Sequence, residues 1–411
     1  MGKLQEIKDR INKEAVKAGV VPKGCNIVGS ITEINKGKKP PIDYDILPLN
    51  FYSQGGGQRG TSVLIWGPPG CGKTGLCLEA TAKTLDSPGS GDNKKGVVVW
   101  LAQEYFPNDA ARLHGIDEFN ENLVIINCNG SGEKTFDLIR EFTMQKGEYL
   151  EAVDLIVLDS VAALIPKTDI AKIEDAKGLA GNAQSPGTVA KMMAEFMREI
   201  QSLKLLRFSH LMMISQATTQ INTFHSPDTS KGGNATRHGP NQIYRFTKVS
   251  GGDIRFDSNG LPSKNSISGK KEKLGPIIGH EVKYTLEKDT LTGMFQGATG
   301  SYDVYYGYGA DNATACFDLL VLHKGISTVA AGKYIVSDSF RDIVSKKVVE
   351  TIEATRGKDK VQLLMRDGEV YEECVKYLSW KSKQKPKSYL EAPVSVEIEE
   401  EIETLPEEIE E

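Results

Sequence analysis

The 411-residue sequence lacks closely spaced cysteines and long apolar runs. The absence of Cys-x-x-Cys pairs argues against a zinc site or a disulfide framework and favours a reducing cytoplasm. The six cysteines are Cys25, Cys71, Cys77, Cys128, Cys316 and Cys374. No segment approaches the about 18 consecutive apolar residues of a membrane span, so no membrane association is expected. The first 20 residues alternate basic and acidic side chains and lack the apolar segment of a signal peptide.

Basic residues are absent from residues 391–411, which contain ten glutamates. Residues 1–390 carry 50 basic and 45 acidic side chains, which gives this part of the chain a net charge of +5, whereas the whole chain has a net charge of −5. A mildly basic body with an acidic tail is common in proteins that bind nucleic acid. A disordered tail that only aids solubility is the alternative interpretation.

Short apolar segments alternate with helical patterns in the first half of the chain. Because strands that alternate with helices build a parallel sheet covered by helices, the pattern predicts an α/β fold. The predicted strands are Ser62–Trp66, Val97–Leu101, Val124–Asn127, Leu155–Asp159 and Leu211–Ser215, and the predicted helices in this half are residues 3–19, Leu76–Leu85 and Thr188–Leu205.

The second half of the chain is more mixed. Residues 250–279 are rich in Gly, Ser and Lys and predict a long exposed loop, followed by a strand pair at 281–286 and 301–306 and a helix at 313–322. We therefore divide the chain into an N-terminal helix and linker, a large core, a small mixed C-terminal domain and an acidic disordered tail. The boundaries are 1–40, 41–310, 311–390 and 391–411.

One segment matches the phosphate-binding pattern G-x-x-x-x-G-K-[ST] in full, between a predicted strand and a predicted helix. Its glycines let backbone N–H groups surround phosphate, and the helix N-terminus adds positive potential. The lysine is expected to reach the terminal phosphates of ATP, and the threonine hydroxyl to bind Mg²⁺. The residues expected to bind the nucleotide are Gly67, Pro68, Pro69, Gly70, Cys71, Gly72, Lys73, Thr74 and Gly75.

Three polar residues near the ends of neighbouring strands complete the predicted ATPase site. Asp159 ends an apolar strand and is expected to hold Mg²⁺ through water, although a strand-terminal Asp is often only a helix cap. Glu104 is the one carboxylate just past the strand 97–101, so we expect it to position the attacking water; a solvated surface glutamate is the alternative. Gln216 is expected to sense the γ-phosphate.

Four segments follow one another along the chain: Asp159–Lys167, Met192–Arg198, Ile214–Gln216 and Gly232–Ala235. In sequence, order and spacing they resemble the RecA family of DNA strand-exchange recombinases, and its phage members in particular. The resemblance implies that residues 1–40 serve oligomerisation and that residues 41–310 are a RecA-like ATPase core with DNA-binding loops. The resemblance covers about residues 40–325. It implies a RecA-like ATPase that polymerises as a helical filament on single-stranded DNA and pairs it with double-stranded DNA, in the cytoplasm of a bacterial or phage-infected cell. Mediator or single-strand-binding proteins are further expected partners.

In this family two loops bind single-stranded DNA along the filament axis. The resemblance implies that residues 170–186 and 217–231 form them here, and their polar, Gly-, Ser- and Asn-rich composition suits contacts with a nucleic-acid backbone. The DNA-binding residues predicted in and directly after these loops are Lys172, Lys177, Asn182, Thr218, Thr219, Lys231, Gly232, Gly233 and Asn234.

The sequence departs from the family pattern at three positions. The family's catalytic glutamate aligns close to Gln103, so assigning it to Glu104 requires a one-residue gap. The family's signalling aromatic after Gly-Gly-Asn-Ala is missing, because residues 236–238 read Thr-Arg-His. Of two basic residues that reach the ATP of the adjacent subunit, Lys288 matches the first, and Thr290 replaces the second. Coupling between subunits is therefore expected to differ.

Two alternatives share the predicted core. A hexameric RecA-like DNA helicase would close into a ring, but such helicases usually carry a larger domain before the core than the roughly 40 residues seen here. A RecA-like ATPase switch would signal or bridge partners, and its hydrolysis would not respond to DNA.

Overall fold

The computed structural model describes residues 3–19, 26–30, 39–89, 95–128, 130–144, 152–175, 187–203, 206–218, 229–230, 237–256, 262–264, 275–329 and 332–384. The acidic segment 391–411 therefore lies outside the described residues. Within the described ranges, no helix is both long and apolar enough to cross a membrane.

A large, mostly parallel sheet forms the centre of the molecule. Its strand order is β11-β10-β9-β7-β1-β5-β4-β2-β3, with β6 added to β5 and β8 to β7. The strands from β3 to β7 in this order are parallel, and β9, β10 and β11 continue the sheet in antiparallel pairing. The strands are β1 Ser62–Gly67, β2 Val98–Ala102, β3 Leu123–Asn127, β4 Leu155–Asp159, β5 His210–Thr218, β6 Thr229–Ser230, β7 Gln242–Phe256, β8 Pro262–Ser263, β9 Ile277–Asp289, β10 Thr299–Tyr305 and β11 Gly309–Ala310.

Helices cover both faces of this sheet. Because successive side chains of a strand point to opposite faces, Val63 and Ile65 of β1 enter one hydrophobic cluster, and Leu64 and Trp66 enter the other. The helices up to the end of the parallel region are α1 Lys3–Lys17, α2 Leu47–Tyr52, α3 Lys73–Asp86, α4 Asn108–Leu113, α5 Gly132–Thr143, α6 Lys167–Asp175 and α7 Thr188–Leu203.

The chain after residue 311 forms a smaller mixed unit around a two-stranded sheet. Its apolar side chains belong to the same hydrophobic cluster as one face of the large sheet, so it is packed onto the core. Its elements are α8 Asn312–Leu322, β12 Ile326–Thr328, β13 Tyr334–Val336, α9 Asp338–Arg341, α10 Lys346–Ala354, α11 Lys358–Leu364 and α12 Gly368–Lys381. The proposed boundary at residue 390 lies outside the described residues and remains a prediction.

Two segments predicted as loops are partly helix or strand within the described residues. Residues 250–256 finish β7 and residues 277–279 begin β9, so the segment 250–279 starts and ends as strand. At the end of β7 Ile254 is buried and its two neighbours are not, as expected for a strand. The preceding pair Gly251-Gly252 obscures this alternation of buried and exposed side chains in the sequence. The first expected DNA loop likewise begins as helix, because α6 continues to Asp175.

Candidate active site

The phosphate-binding segment connects β1 to α3 as predicted. Gly72 precedes the helix with a φ of 89°, a left-handed conformation that favours glycine. Gly67 ends β1 so close to β7 that an added Cβ would lie 2.0 Å from the carbonyl oxygen of Phe246. The first residue of the loop is therefore packed directly against the neighbouring strand, and the loop itself leads into the positive end of α3.

Lys73 is nearly buried at the start of α3, with 7% of its surface exposed. Its Nζ donates hydrogen bonds to the carbonyl oxygens of Gly67 at 2.9 Å and Pro68 at 2.6 Å. The Cys71 thiol also donates to the Pro68 oxygen, at 3.0 Å. The ammonium group is thus held inside the curve of the loop, where a terminal phosphate of a bound nucleotide would lie.

Asp159 ends β4 and is only 8% exposed. Burial, and secondarily the charge of Glu104, raise the pKa of this carboxyl to about 6; Lys73 and a hydrogen bond with Thr74 act in the opposite direction. A buried carboxylate whose charge is incompletely compensated gains from a nearby cation. A carboxylate beside a threonine hydroxyl is also an oxygen donor set that suits Mg²⁺.

Glu104 and Gln216 meet at the same end of the sheet. Gln216 lies on β5 directly opposite Gly67 of β1, and its Nε2 donates to Glu104 Oε1 at 3.3 Å. The Ser160 hydroxyl donates to the same oxygen at 2.7 Å. The structure therefore brings together the five residues expected to act on ATP: Lys73, Thr74, Glu104, Asp159 and Gln216.

Gln103 faces away from this cluster. Its Nε2 donates to the Thr135 hydroxyl on α5 at 2.6 Å. The backbone N–H groups of Gln103 and Glu104 both donate to the Asp159 carbonyl oxygen, at 2.7 and 3.2 Å, which fixes the turn after β2. Of the two neighbouring residues, Glu104 is thus the one whose side chain joins the site.

Ser160 was missed by the sequence reasoning. It is 1% exposed and anchors the carboxylate of Glu104 from the strand that carries Asp159. Its position directly after the strand-terminal aspartate was the available signal.

Lys288 lies away from the phosphate-binding loop of its own chain. Lys288 of β9 pairs with Ile243 of β7, and Ile243 pairs with Leu64 of β1. Leu64 precedes Gly67 by three residues. Two strand spacings and three residues along a strand put the Cα atoms of Lys288 and Gly67 about 14 Å apart. Lys288 Nζ donates to the carbonyl oxygens of His238 at 2.5 Å and Pro240 at 2.7 Å, and burial lowers its pKa. Within one subunit, Lys288 does not belong to the ATP site.

The candidate DNA-binding residues are described only in part. Lys172 lies in α6, and Thr218 ends β5, where it pairs with Thr229 of β6. The base of the second expected loop is therefore a short antiparallel pair. The other candidates lie outside the described residues; they are Lys177, Asn182, Thr219, Lys231, Gly232, Gly233 and Asn234.

A parallel sheet with the phosphate-binding loop after β1, an aspartate at the end of β4 and a glutamate after β2 defines a P-loop ATPase of the RecA type. Comparison with known proteins agrees. A model of the RecA N-terminal domain matches residues 4–309. The chain therefore belongs to the RecA family of DNA strand-exchange recombinases.

Similarity to individual RecA proteins extends over most of the chain. Protein RecA of Kineococcus radiotolerans is 26% identical over 384 residues, which cover 91% of this chain and 92% of that protein. Protein RecA of Leptospira biflexa is 27% identical over 317 residues, covering 76% of this chain and 69% of the relative. Protein RecA of Rickettsia prowazekii is 26% identical over the same length, covering 75% and 81%.

Proposed function

We propose that this protein is a DNA-dependent ATPase that forms helical filaments on single-stranded DNA and uses them to pair and exchange strands with duplex DNA. The observation that carries the proposal is the assembly of a full set of ATPase residues on a chain of the RecA family. Lys73, Glu104, Asp159 and Gln216 come from separate elements, yet hydrogen bonds and charge interactions bring them together at one edge of the sheet.

Each residue has a role in hydrolysis that its position supports. The loop N–H groups and Lys73 would bind the phosphates of ATP, and Thr74 and Asp159 would hold Mg²⁺, which would supply positive charge to the phosphate oxygens. Glu104 accepts a hydrogen bond from the attacking water and orients it toward the γ-phosphorus. Its carboxylate is kept in place by the Ser160 hydroxyl.

Gln216 is the proposed sensor of the γ-phosphate. Its amide donates to Glu104 and stands opposite Gly67, while the strand that carries it continues through Ala217 and Thr218 into the second expected DNA loop. If the Gln216 amide donated to a phosphate oxygen instead of the Glu104 carboxylate, the end of β5 would move. ATP binding would in this way change the loop that contacts DNA.

Lys288 is proposed to act on the ATP of an adjacent subunit. Its separation from the phosphate-binding loop of its own chain supports a role across an interface. Repetition of such a head-to-tail contact produces an open helix unless the rotation closes. Hydrolysis would then depend on assembly, and assembly on DNA.

The proposal is tested by strand exchange between a circular single strand and a linear duplex. Joint molecules should form with ATP and Mg²⁺ when the sequences are homologous, and not when they are unrelated. Lys73→Ala is the matched control, because it removes the phosphate-binding charge and leaves the DNA-binding loops unchanged. Failure of the wild-type protein to form joint molecules under conditions where it hydrolyses ATP would refute strand exchange.

A further inference from the structure

Trp66, the residue before the phosphate-binding loop, is surrounded by charged side chains. The indole is 1% exposed, and its Nε1 donates to Glu287 Oε2 at 2.9 Å. The guanidinium of Arg245 lies 5.1 Å from the ring centroid, and that of Arg237 lies 5.8 Å from it. Arg237 also approaches Glu287, with 3.6 Å between Nη2 and Oε2. Two cations thus lie over one aromatic ring, and Arg237 also approaches the carboxylate that accepts the indole N–H.

The two arginines stand in different structural contexts. Arg245 is the direct neighbour of Trp66 in the pairing of β1 with β7, so a packing role in the sheet accounts for it. Arg237 belongs to no strand. It precedes β7 and follows Asn234, the last of the candidate DNA-binding residues, by three positions. Its side chain is 40% exposed, which is more than core packing requires.

The backbone around Arg237 is fixed by contacts that do not involve its side chain. Lys288 donates to the carbonyl oxygens of His238 and Pro240, and Gln201 Nε2 donates to the Gly239 oxygen at 2.9 Å. Gly239 is packed so tightly that an added Cβ would lie 2.5 Å from Cγ of Met197. Truncation of Arg237 should therefore leave residues 238–240 in place and remove the contacts of its side chain with Trp66 and Glu287.

Displacement of Trp66 would be transmitted directly to the nucleotide site. The next residue, Gly67, has no free space toward Phe246 of β7, and its carbonyl oxygen accepts the hydrogen bond from Lys73. A change in the position of the indole therefore changes the position of the lysine that binds the phosphates. The path from Arg237 to Lys73 consists of two side-chain contacts and one peptide unit.

We propose that Arg237 is a positioning residue that couples DNA binding to ATP hydrolysis through its contact with Trp66 and Glu287. The proposal rests on the DNA-dependent ATPase function proposed above. The guanidinium is attracted to the indole face by the ring's quadrupole, so the contact is a cation–π pair. Arg237 binds neither the nucleotide nor the reacting water.

The test compares kcat and KM for ATP, with and without single-stranded DNA, for Arg237→Ala and Arg237→Lys. The ratio of DNA-stimulated to DNA-free kcat should fall about tenfold in the alanine variant, a typical size for one coupling contact. The lysine variant keeps the cation and should recover part of this ratio. The affinity for single-stranded DNA, measured by fluorescence anisotropy, should stay within about twofold of wild type.

Two further variants separate coupling from folding. Glu287→Gln keeps an acceptor for the Trp66 N–H but loses the charge that faces Arg237, so it should lower the same ratio. Arg341→Ala is the matched control, because Arg341 is 45% exposed and pairs with a partly exposed glutamate, Glu353, in the C-terminal unit. It should behave like the wild-type protein in every measurement.

Three results would overturn the proposal. Wild-type stimulation in Arg237→Ala would show that the contact carries no coupling. A loss of DNA affinity as large as the loss of kcat would identify Arg237 as a DNA contact. An equal fall of kcat with and without single-stranded DNA would identify a purely structural role. Absence of stimulation in the wild-type protein would refute the DNA-dependent ATPase itself, and this outcome is recognised before any variant is measured.

Discussion

Replacing Asp159 by asparagine should stabilise the protein in the absence of nucleotide. The carboxyl is buried at the end of β4, and its pKa is raised from 3.8 to about 6 by that burial first and by the charge of Glu104 second. At neutral pH the folded protein therefore carries a carboxylate that is unfavourable for folding. A shift of this size corresponds to about 3 kcal/mol, which the Asp159→Asn variant would recover because the amide has the same shape and no charge.

The gain should depend on pH in a defined direction. Between pH 3.8 and about 6 the folded state binds the proton that the unfolded state has released, so the wild-type protein loses stability relative to the variant as pH rises through this window. The difference in free energy of unfolding between Asp159→Asn and wild type should reach its full value at pH 8. It should be about half as large at pH 5 and absent well below pH 4. With about 2 cal/mol/K of unfolding entropy per residue, it corresponds to an increase in Tm of about 4 °C at pH 8.

The assay is urea or thermal unfolding at pH 5 and pH 8, without nucleotide or Mg²⁺, monitored by circular dichroism. ATP with Mg²⁺ should then stabilise the wild-type protein more than the variant, since Asp159 is proposed to hold the ion. The variant should hydrolyse ATP at a strongly reduced rate. A variant that is no more stable than wild type at pH 8, or a gain that is equal at both pH values, would refute the account of a desolvated carboxylate.

Four further predictions concern individual parts of the protein. Glu104→Gln should lower kcat by about a hundredfold or more with ATP binding retained, and Gln103→Ala should have little effect; the reverse result in a steady-state ATPase assay would reassign the base. Gln216→Ala should bind ATP but lose the increase in DNA affinity that an ATP analogue causes, and a normal increase in anisotropy titrations would remove it from the sensor role. Lys288→Ala should hydrolyse ATP slowly, and addition of a chain with a defective phosphate-binding loop but an intact Lys288 should restore part of the rate; no recovery would contradict action across the interface. Deletion of residues 391–411 should speed association with duplex DNA at low salt, an effect that fades as the Debye length falls below about 8 Å, and unchanged stopped-flow rates across the salt range would leave the tail only a solubility role.

Local patterns predicted the strands that build the site. The continuous apolar runs at β1, β2, β4 and β5 belong to buried parallel strands, which have no polar face to obscure the signal. Because the carboxyl ends of parallel strands lie at one edge of the sheet, the residues after them were expected to meet. The electrostatic effects of Lys73 and Glu104 on Asp159 follow from that arrangement.

Features that depend on tertiary contacts were not predictable in this way. The sequence favoured Glu104 over Gln103 only because it is the carboxylate of the pair. The structural reasons are the turn after β2, in which two N–H groups bond to one oxygen of β4, and the Thr135 hydroxyl on α5, which holds Gln103. Neither partner is local in sequence. The continuation of β7 through Gly251 and Gly252 depends on pairing with β9 across a register shift, which no local periodicity reveals.

The cluster around Trp66 was also beyond sequence analysis. Its members come from β1, β7, β9 and the segment before β7, and each alone is an ordinary residue of a strand or loop. Only the sheet order, which places β7 between β1 and β9, brings Glu287 to the indole.

Electron microscopy of the protein with single-stranded DNA and a non-hydrolysable ATP analogue tests the central claim most directly. The account predicts continuous helical filaments that require both the nucleotide and DNA, and that are lost in Lys73→Ala. Closed hexameric rings would instead identify a helicase-like assembly, and isolated subunits on or off DNA would identify an ATPase switch. Either of these two results would contradict the proposal that this chain acts as a filament-forming recombinase.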